Sequence, residues 1–215
     1  MSIIFDLDGT LVDSKAGILQ SLSDSFEELG VIPTQSLTGH LIGPPLKTLI
    51  SCLCDDPKLI DLLAKTFILQ YDSHGFRYSY PFPGIDSLLR YLVDTKVDIY
   101  LATNKRYKPT EAILKHLGWT NLFCDIISPD IFDSTFPDKS SMLKYIVSNQ
   151  NLNHSSTIYI GDRYDDCLAA KLVGIPCALV AWGFNDTPLT KTSKEYKVID
   201  SFEIDLFCEQ LNEFI

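Results

Sequence analysis

The sequence predicts an α/β protein, a doubly wound parallel-sheet core over residues 1–14 and 81–215 interrupted by an inserted helical module over 15–80. Three observations predict it. The chain opens on an apolar run, Ile3-Ile4-Phe5, that ends in Asp6-Leu7-Asp8-Gly9-Thr10, the pattern of a buried parallel strand with a polar exit. Beyond about residue 81, strand-like and helix-like segments alternate, which implies parallel strands joined by crossover helices. Between these regions, apolar positions recur only at helical spacing.

Each element follows from its own pattern. Lys15 to Leu29 reads as a helix, with Ile18, Leu19, Leu22, Phe26 and Leu29 at helical spacing and Gly30 as its stop. Gly43-Pro44-Pro45 breaks structure, Leu46 to Leu53 forms a short helix, and Asp56-Pro57 opens another that runs to about Ser73. No convincing strand lies in this module. Pro/Gly punctuation over 75–84 marks the return to the core, with Tyr78, Tyr80 and Phe82 as hinge packing. Helices over 85–94, 110–117, 140–148 and 165–173 then alternate with strands over 97–102, 125–128, 157–160 and 178–181. A weak strand over 196–199 and a helix from about Glu203 complete the chain.

The 215 residues suit one large domain with an insertion. Hydrophobic residues make up 46% and charged residues 21%, the balance of a folded protein. A net charge of -10 excludes a general nucleic-acid binder and leaves room for an anionic substrate only where cations gather locally. No signal-peptide pattern is visible and no apolar run is long enough to span a bilayer, so a cytoplasmic protein without a membrane partner is expected. The six cysteines (Cys52, Cys54, Cys124, Cys167, Cys177, Cys208) contain no Cys-x-x-Cys pair, which predicts buried free thiols rather than a disulfide frame or zinc site. His40, His74, His116 and His154 show no metal-ligand spacing.

Ligands of open parallel sheets bind beyond the carboxyl ends of the strands. There the sequence places Asp6 and Asp8, then Thr103-Asn104-Lys105, then Lys139 at a helix start, then Gly161-Asp162-Arg163 with Asp165 and Asp166. Asp6 and Asp8 are two apart, so in extended chain both side chains point the same way. Three carboxylates, Asp6, Asp8 and Asp162, supply oxygens suited to Mg2+. One carboxylate can attack phosphorus and another can protonate a leaving group and later activate water. Thr103 and nearby N–H groups can hold phosphoryl oxygens, and Lys139 can neutralise charge. A calcium loop is excluded because Leu11 stands where an EF-hand needs glycine. Asp166 reads either as part of the site or as an anchor in the first helical turn. Arg163 is left between substrate contact and pairing with Asp165.

These residues resemble the haloacid dehalogenase (HAD) superfamily of phosphatases. Its first motif is matched by Asp6-Leu7-Asp8-Gly9-Thr10-Leu11-Val12-Asp13-Ser14, its second by Thr103 in Leu101-Ala102-Thr103-Asn104-Lys105, and its fourth by Gly161-Asp162 with Asp166. The third motif, a lysine usually followed by proline, is met by Lys139 in Pro137-Asp138-Lys139-Ser140, without that proline. The resemblance implies a Rossmann-like HAD core, Asp6 as nucleophile and Asp8 as general acid/base. It implies Mg2+ held by Asp6, the Asp8 carbonyl and Asp162, with Asp166 supporting the metal. Phosphate would be bound by Gly9, Thr103, Asn104 and Lys139. The insertion, Ile42-Gly43-Pro44-Pro45-Leu46 and Trp182-Gly183-Phe184 resemble the phosphoglycolate phosphatase-like branch with its four-helix cap. That branch makes Gly43 and Lys47 candidate substrate contacts.

The expectation is a Mg2+-dependent phosphatase acting on a small anionic phosphorylated metabolite, with oligomeric state open. The alternatives are a phosphomutase of the same superfamily, or a pyrophosphatase or nucleotidase. A non-enzymatic phosphate-binding protein ranks last, because no motif position is neutralised.

Overall fold

A computed structural model of the chain describes residues 1–132, 135–185, 189, 195–201 and 203–212. In chain order the elements are β1 (Ser2–Phe5), β2 (Val12–Asp13), α1 (Lys15–Glu28), α2 (Leu46–Ser51), α3 (Pro57–Ser73), β3 (Tyr80–Pro81), α4 (Ile85–Asp94), β4 (Asp98–Ala102), α5 (Tyr107–Leu117) and β5 (Asp125–Ile127). The chain continues through α6 (Lys139–Asn149), β6 (Thr157–Gly161), α7 (Tyr164–Val173), β7 (Cys177–Val180), β8 (Lys197–Ile199) and α8 (Ile204–Asn212). Among the described residues the main sheet has six parallel strands in the order β5-β4-β1-β6-β7-β8.

The opening strand is central, which explains its unbroken apolar character: it is covered on both faces. Ile3 and Phe5 point into one core with Leu88, Leu92, Leu101, Trp119 and Ile160. Ile4, between them, points into the other with Tyr100, Met142, Ile146, Tyr159 and Ala170. This two-residue alternation is the strand period. Phe5 pairs with Leu101 on one side and Ile160 on the other, so three strands end level with one another. That register, not chain proximity, brings Asp6, Thr103 and Asp162 to one edge.

The insertion has its own core, in which Ile18, Leu22 and Phe26 of α1 meet Leu49 and Ile50 of α2 and Leu63, Phe67 and Tyr71 of α3. Pro57 begins α3 and Asp56 caps it, accepting the Lys58 N–H at 2.9 Å. The four helices implied by the resemblance are realised as three α-helices with 3₁₀ turns at Gly39–Leu41 and Gly75–Tyr78. A short ribbon also appears where none was expected. β2 and β3 pair antiparallel, Val12 with Pro81 and Asp13 with Tyr80, and tie together the two chain passages between core and cap. Two-residue strands carry too little pattern to be read from sequence.

Two further expectations are corrected. Helix α5 starts at Tyr107 rather than Thr110, because Pro109 lies in the first turn, where a missing N–H costs nothing. Cys167 and Cys177 are not free thiols; they form a disulfide with Cα atoms 5.3 Å apart. The first turn of α7 and the start of β7 are adjacent layers, and the turn at Gly174 folds one onto the other. A separation of ten residues gives no hint of this in the sequence. Cys52, Cys54, Cys124 and Cys208 remain free, but only Cys54 is buried as expected; Cys52 and Cys124 are exposed and Cys208 is half-buried.

Candidate active site

Asp6 leaves β1 with only 6% of its surface exposed. Its Oδ1 lies 3.0 Å from the ammonium of Lys139. Lys139 is the first residue of α6, behind an Asp138 cap that accepts the Ser141 N–H at 2.8 Å. Its side chain runs inward under the sheet edge and is 7% exposed, which rules out an ordinary surface lysine. The same ammonium lies 3.2 Å from Asp166 Oδ1 and donates to the Tyr159 hydroxyl at 2.8 Å.

Asp162 sits directly after β6 and accepts the Phe184 N–H at 2.6 Å on Oδ2. Its Oδ1 is buried without a hydrogen-bond partner among the described residues. Glycines make this placement possible. Gly9 has φ +81°, and a Cβ there would stand 2.2 Å from Asp162 Oδ2. A Cβ on Gly183 would stand 2.2 Å from the Asp162 Cβ. Gly9 therefore makes room for a site carboxylate; a role in holding phosphate rests on its backbone.

Asp166 joins the cluster from the first turn of α7. Its Oδ2 accepts the N–H groups of Asp162 and Arg163, each at 3.1 Å, so it fixes the backbone that carries Asp162 while also facing Lys139. Both sequence readings of Asp166 are thus met by one side chain. One oxygen each from Asp6, Asp162 and Asp166 lies within 4.8 Å of the others. Three carboxylates against one ammonium leave two negative charges uncompensated, and an all-oxygen set with an unbonded buried oxygen fits a hard divalent cation such as Mg2+.

Asp8 shares a cavity with Asp6 but meets a different cation. Its oxygens accept from Lys105 Nζ at 2.9 and 3.1 Å and from the Ser14 hydroxyl at 2.6 Å. Ser14 stands at the start of α1 and makes no side-chain cap there, because its hydroxyl is committed to Asp8. Lys105 also lies 4.5 Å from the ring centroid of Tyr71 on α3. Sequence reasoning assigned no role to Lys105, Ser14, Tyr71 or Tyr159. Lys105 had a usable signal: it follows Thr103 by two residues at a strand end, as Asp8 follows Asp6.

The remaining candidates divide. Thr103 is buried, and its hydroxyl oxygen accepts the Lys105 N–H at 3.1 Å. Asn104 donates its amide to the Gly43 carbonyl at 3.0 Å. Arg163 donates to the His40 and Ile42 carbonyls at 3.1 and 3.0 Å. Asn104 and Arg163 therefore grip the cap loop, and Gly43, at φ +129°, lies so close to Arg163 that a Cβ would stand 2.3 Å from its Cδ. Lys47 is brought only to the cavity lining, largely exposed and paired with Asp61 at 2.7 Å. The Trp182 indole N–H donates to the Thr10 carbonyl at 3.0 Å.

Burial and mutual repulsion shape the charges. Burial pushes Asp6 from 3.8 up to about 6 against the pull of Lys139. Burial, with Asp166 and Asp6 nearby, raises Asp162 well above the usual carboxylate range. Burial alone would lower the pKa of Lys139, but Asp166 and Asp6 outweigh it and raise it. Lys105 behaves likewise, with Asp8 the chief opposing influence. A carboxylate that binds its proton more tightly folded than unfolded stabilises the fold in acid, and loses that contribution as pH rises through its folded pKa. For Asp6 that contribution is lost as pH rises from about 4 through about 6. Thermal melts in EDTA should therefore show the metal-free protein losing this contribution from pH 4 to 6.5. Mg2+ should raise Tm more at pH 7.5 than at pH 5; an equal rise at both would show that the cation binds elsewhere.

A family model for haloacid dehalogenase-like hydrolases matches residues 3–180. A phosphoglycolate phosphatase of Agrobacterium fabrum is 32% identical over 206 residues, covering 93% of this chain and 88% of that one. A 5'-nucleotidase of Pseudomonas aeruginosa is 30% identical over 188 residues, covering 85% of this chain and 83% of that one. A solved haloacid dehalogenase-like family hydrolase of Streptococcus pneumoniae superposes with a TM-score of 0.82 at 27% identity, covering 100% of this chain and 98% of that one.

Proposed function

We propose that this chain, which belongs to the haloacid dehalogenase-like hydrolase family, is a Mg2+-dependent phosphatase of the phosphoglycolate phosphatase-like kind that hydrolyses a small phosphorylated metabolite through an aspartyl-phosphate. The observation carrying this is the Asp6 carboxylate, fixed 3.0 Å from a buried ammonium in a cavity it shares with Asp8 and Thr103.

An Asp6 oxygen attacks phosphorus, and the ester P–O bond breaks as the acyl phosphate forms. Asp8 gives a proton to the departing alkoxide, then takes one from the water that attacks phosphorus and releases Asp6. Lys139 offsets charge on Asp6 and on the transferring group, while the Thr103 hydroxyl and the N–H groups after β1 and β4 hold phosphoryl oxygens. Asp6, the Asp8 carbonyl and Asp162 would hold Mg2+, with Asp166 supporting them from behind. The cation supplies Lewis-acid stabilisation of phosphoryl charge. Four free cysteines support a cytoplasmic setting, and the Cys167–Cys177 bond weighs against a strongly reducing one. No helix among the described residues is long and apolar enough to cross a membrane.

The test is phosphate release from a panel of phosphomonoesters, pyrophosphate and nucleoside monophosphates, with Mg2+ or with EDTA. Release that requires Mg2+ is expected. Phosphosugar isomerisation without free phosphate would instead identify a mutase. Phosphate binding with no turnover on any ester would leave a binding protein.

A further inference from the structure

We infer that the substrate's leaving group carries an apolar body, aryl or branched alkyl, and no second anionic group. This specifies the substrate class of the site just proposed and rests on that reading.

The cavity that contains Asp6 and Asp8 has a volume of about 590 Å³. Pockets of about 300–1,000 Å³ suit ligands much larger than a phosphoryl group with a two-carbon acid. The core supplies most of its polar lining, from Asp6, Asp8, Thr103, Asn104, Lys105, Arg106 and Thr135, while the cap contributes Ile18, Ile42, Leu46, Leu49, Phe67 and Ile68 beside Lys47 and Tyr71. These come from three separate parts of the cap, α1, the 42–49 segment and α3, so the apolar lining is built rather than incidental.

Each cation lining the same space has a carboxylate partner, with Asp72 shared between Arg106 and Lys108. Lys105 is held by Asp8 at 2.9 Å, with both side chains nearly buried. Arg106 makes a two-point pair with Asp72, one contact of which is 3.2 Å. Lys47 pairs with Asp61 at 2.7 Å. The Asn104 amide is committed to the Gly43 carbonyl. A carboxylate or second phosphate deep in the cavity would have to displace Asp8 from Lys105 or be desolvated against hydrocarbon, and both are costly; the exposed Lys47–Asp61 pair adds little to this barrier. An apolar group faces neither cost and gains by leaving water.

The test compares 1-naphthyl phosphate, phosphoglycolate and acetyl phosphate at equal Mg2+. Acetyl phosphate is too small to need the cap side and reports phosphoryl transfer alone. We expect kcat/KM for 1-naphthyl phosphate to exceed that for phosphoglycolate by about tenfold or more. Ile68→Gln, at a half-buried cap position, should raise KM for 1-naphthyl phosphate by about tenfold with Tm confirming a folded protein. Equal or better turnover of phosphoglycolate overturns the inference and leaves the phosphatase intact. No phosphate from any of the three substrates overturns the phosphatase reading instead. Calorimetric binding to the Asp6→Asn variant then decides the cavity separately: tighter binding of 1-naphthyl phosphate supports the inference, and equal or tighter binding of phosphoglycolate overturns it.

Discussion

Asp6→Asn should lower Mg2+-dependent phosphate release by a factor on the order of 10⁴ or more. Asparagine keeps the size of the side chain but cannot form the acyl phosphate, and it gives up one anionic oxygen to any cation. The fold should not suffer. Asp6 is a buried carboxylate whose pKa is pushed up to about 6, so at neutral pH its charge costs the protein stability. Lys139 keeps Asp166 at 3.2 Å when Asp6 is neutralised. Tm in EDTA at pH 7.5 should therefore hold or rise while activity collapses. A variant that retains a tenth of the activity would remove Asp6 as nucleophile. One that unfolds would show that the Asp6–Lys139 pair stabilises more than its desolvation costs.

Lys139→Met should damage both stability and catalysis. The ammonium bridges Asp6 and Asp166 and donates to Tyr159, all of them buried. Removing one partner of a buried ionic cluster costs about 3–5 kcal/mol, because the remaining charges are left without compensation. In a chain of this size that lowers Tm by about 10 °C. Loss of a cation facing the transferring group costs about 10²–10³ in kcat. The sign of the pH dependence separates this from simple loss of packing. Without Lys139, Asp6 and Asp162 should hold their protons to still higher pH. Tm of the variant should then recover towards wild type as pH falls to 5, where the carboxylates neutralise. A deficit equal at pH 5 and pH 8 would mean that the methionine merely fits badly.

Much of the fold was legible because its signals are strong and local. The unbroken apolar run of β1 and the helical spacing of α1 and α3 each express burial on a particular set of faces. Elements whose existence depends on partners were not legible. The β2–β3 ribbon has two residues on each side, and the Cys167–Cys177 bond follows from a turn that overlays two layers. The site divides in the same way. Asp6, Asp8, Thr103, Lys139 and Asp162 stood out because polar residues end apolar strands or break a helix's charge preference. Ser14, Tyr71, Lys105 and Tyr159 did not, because each is an ordinary residue for its own element and gains a role only from what lies across the cavity.

What the chain alone decided, then, was composition at the strand ends: which chemical groups would stand at the edge of a parallel sheet, and that a helical cap leaves the core straight after the first of them. Periodicity and the cost of placing charge beside apolar strands are local enough to be written in sequence. Tertiary structure decided how those groups are shared out. It set Lys139 between Asp6 and Asp166, gave Asp8 to Lys105, tied Arg163 to the cap loop, and closed hydrocarbon over the cavity. Ion pairing and cavity lining depend on through-space distances of a few ångströms between residues as much as 133 positions apart, and only strand register and cap packing fix those.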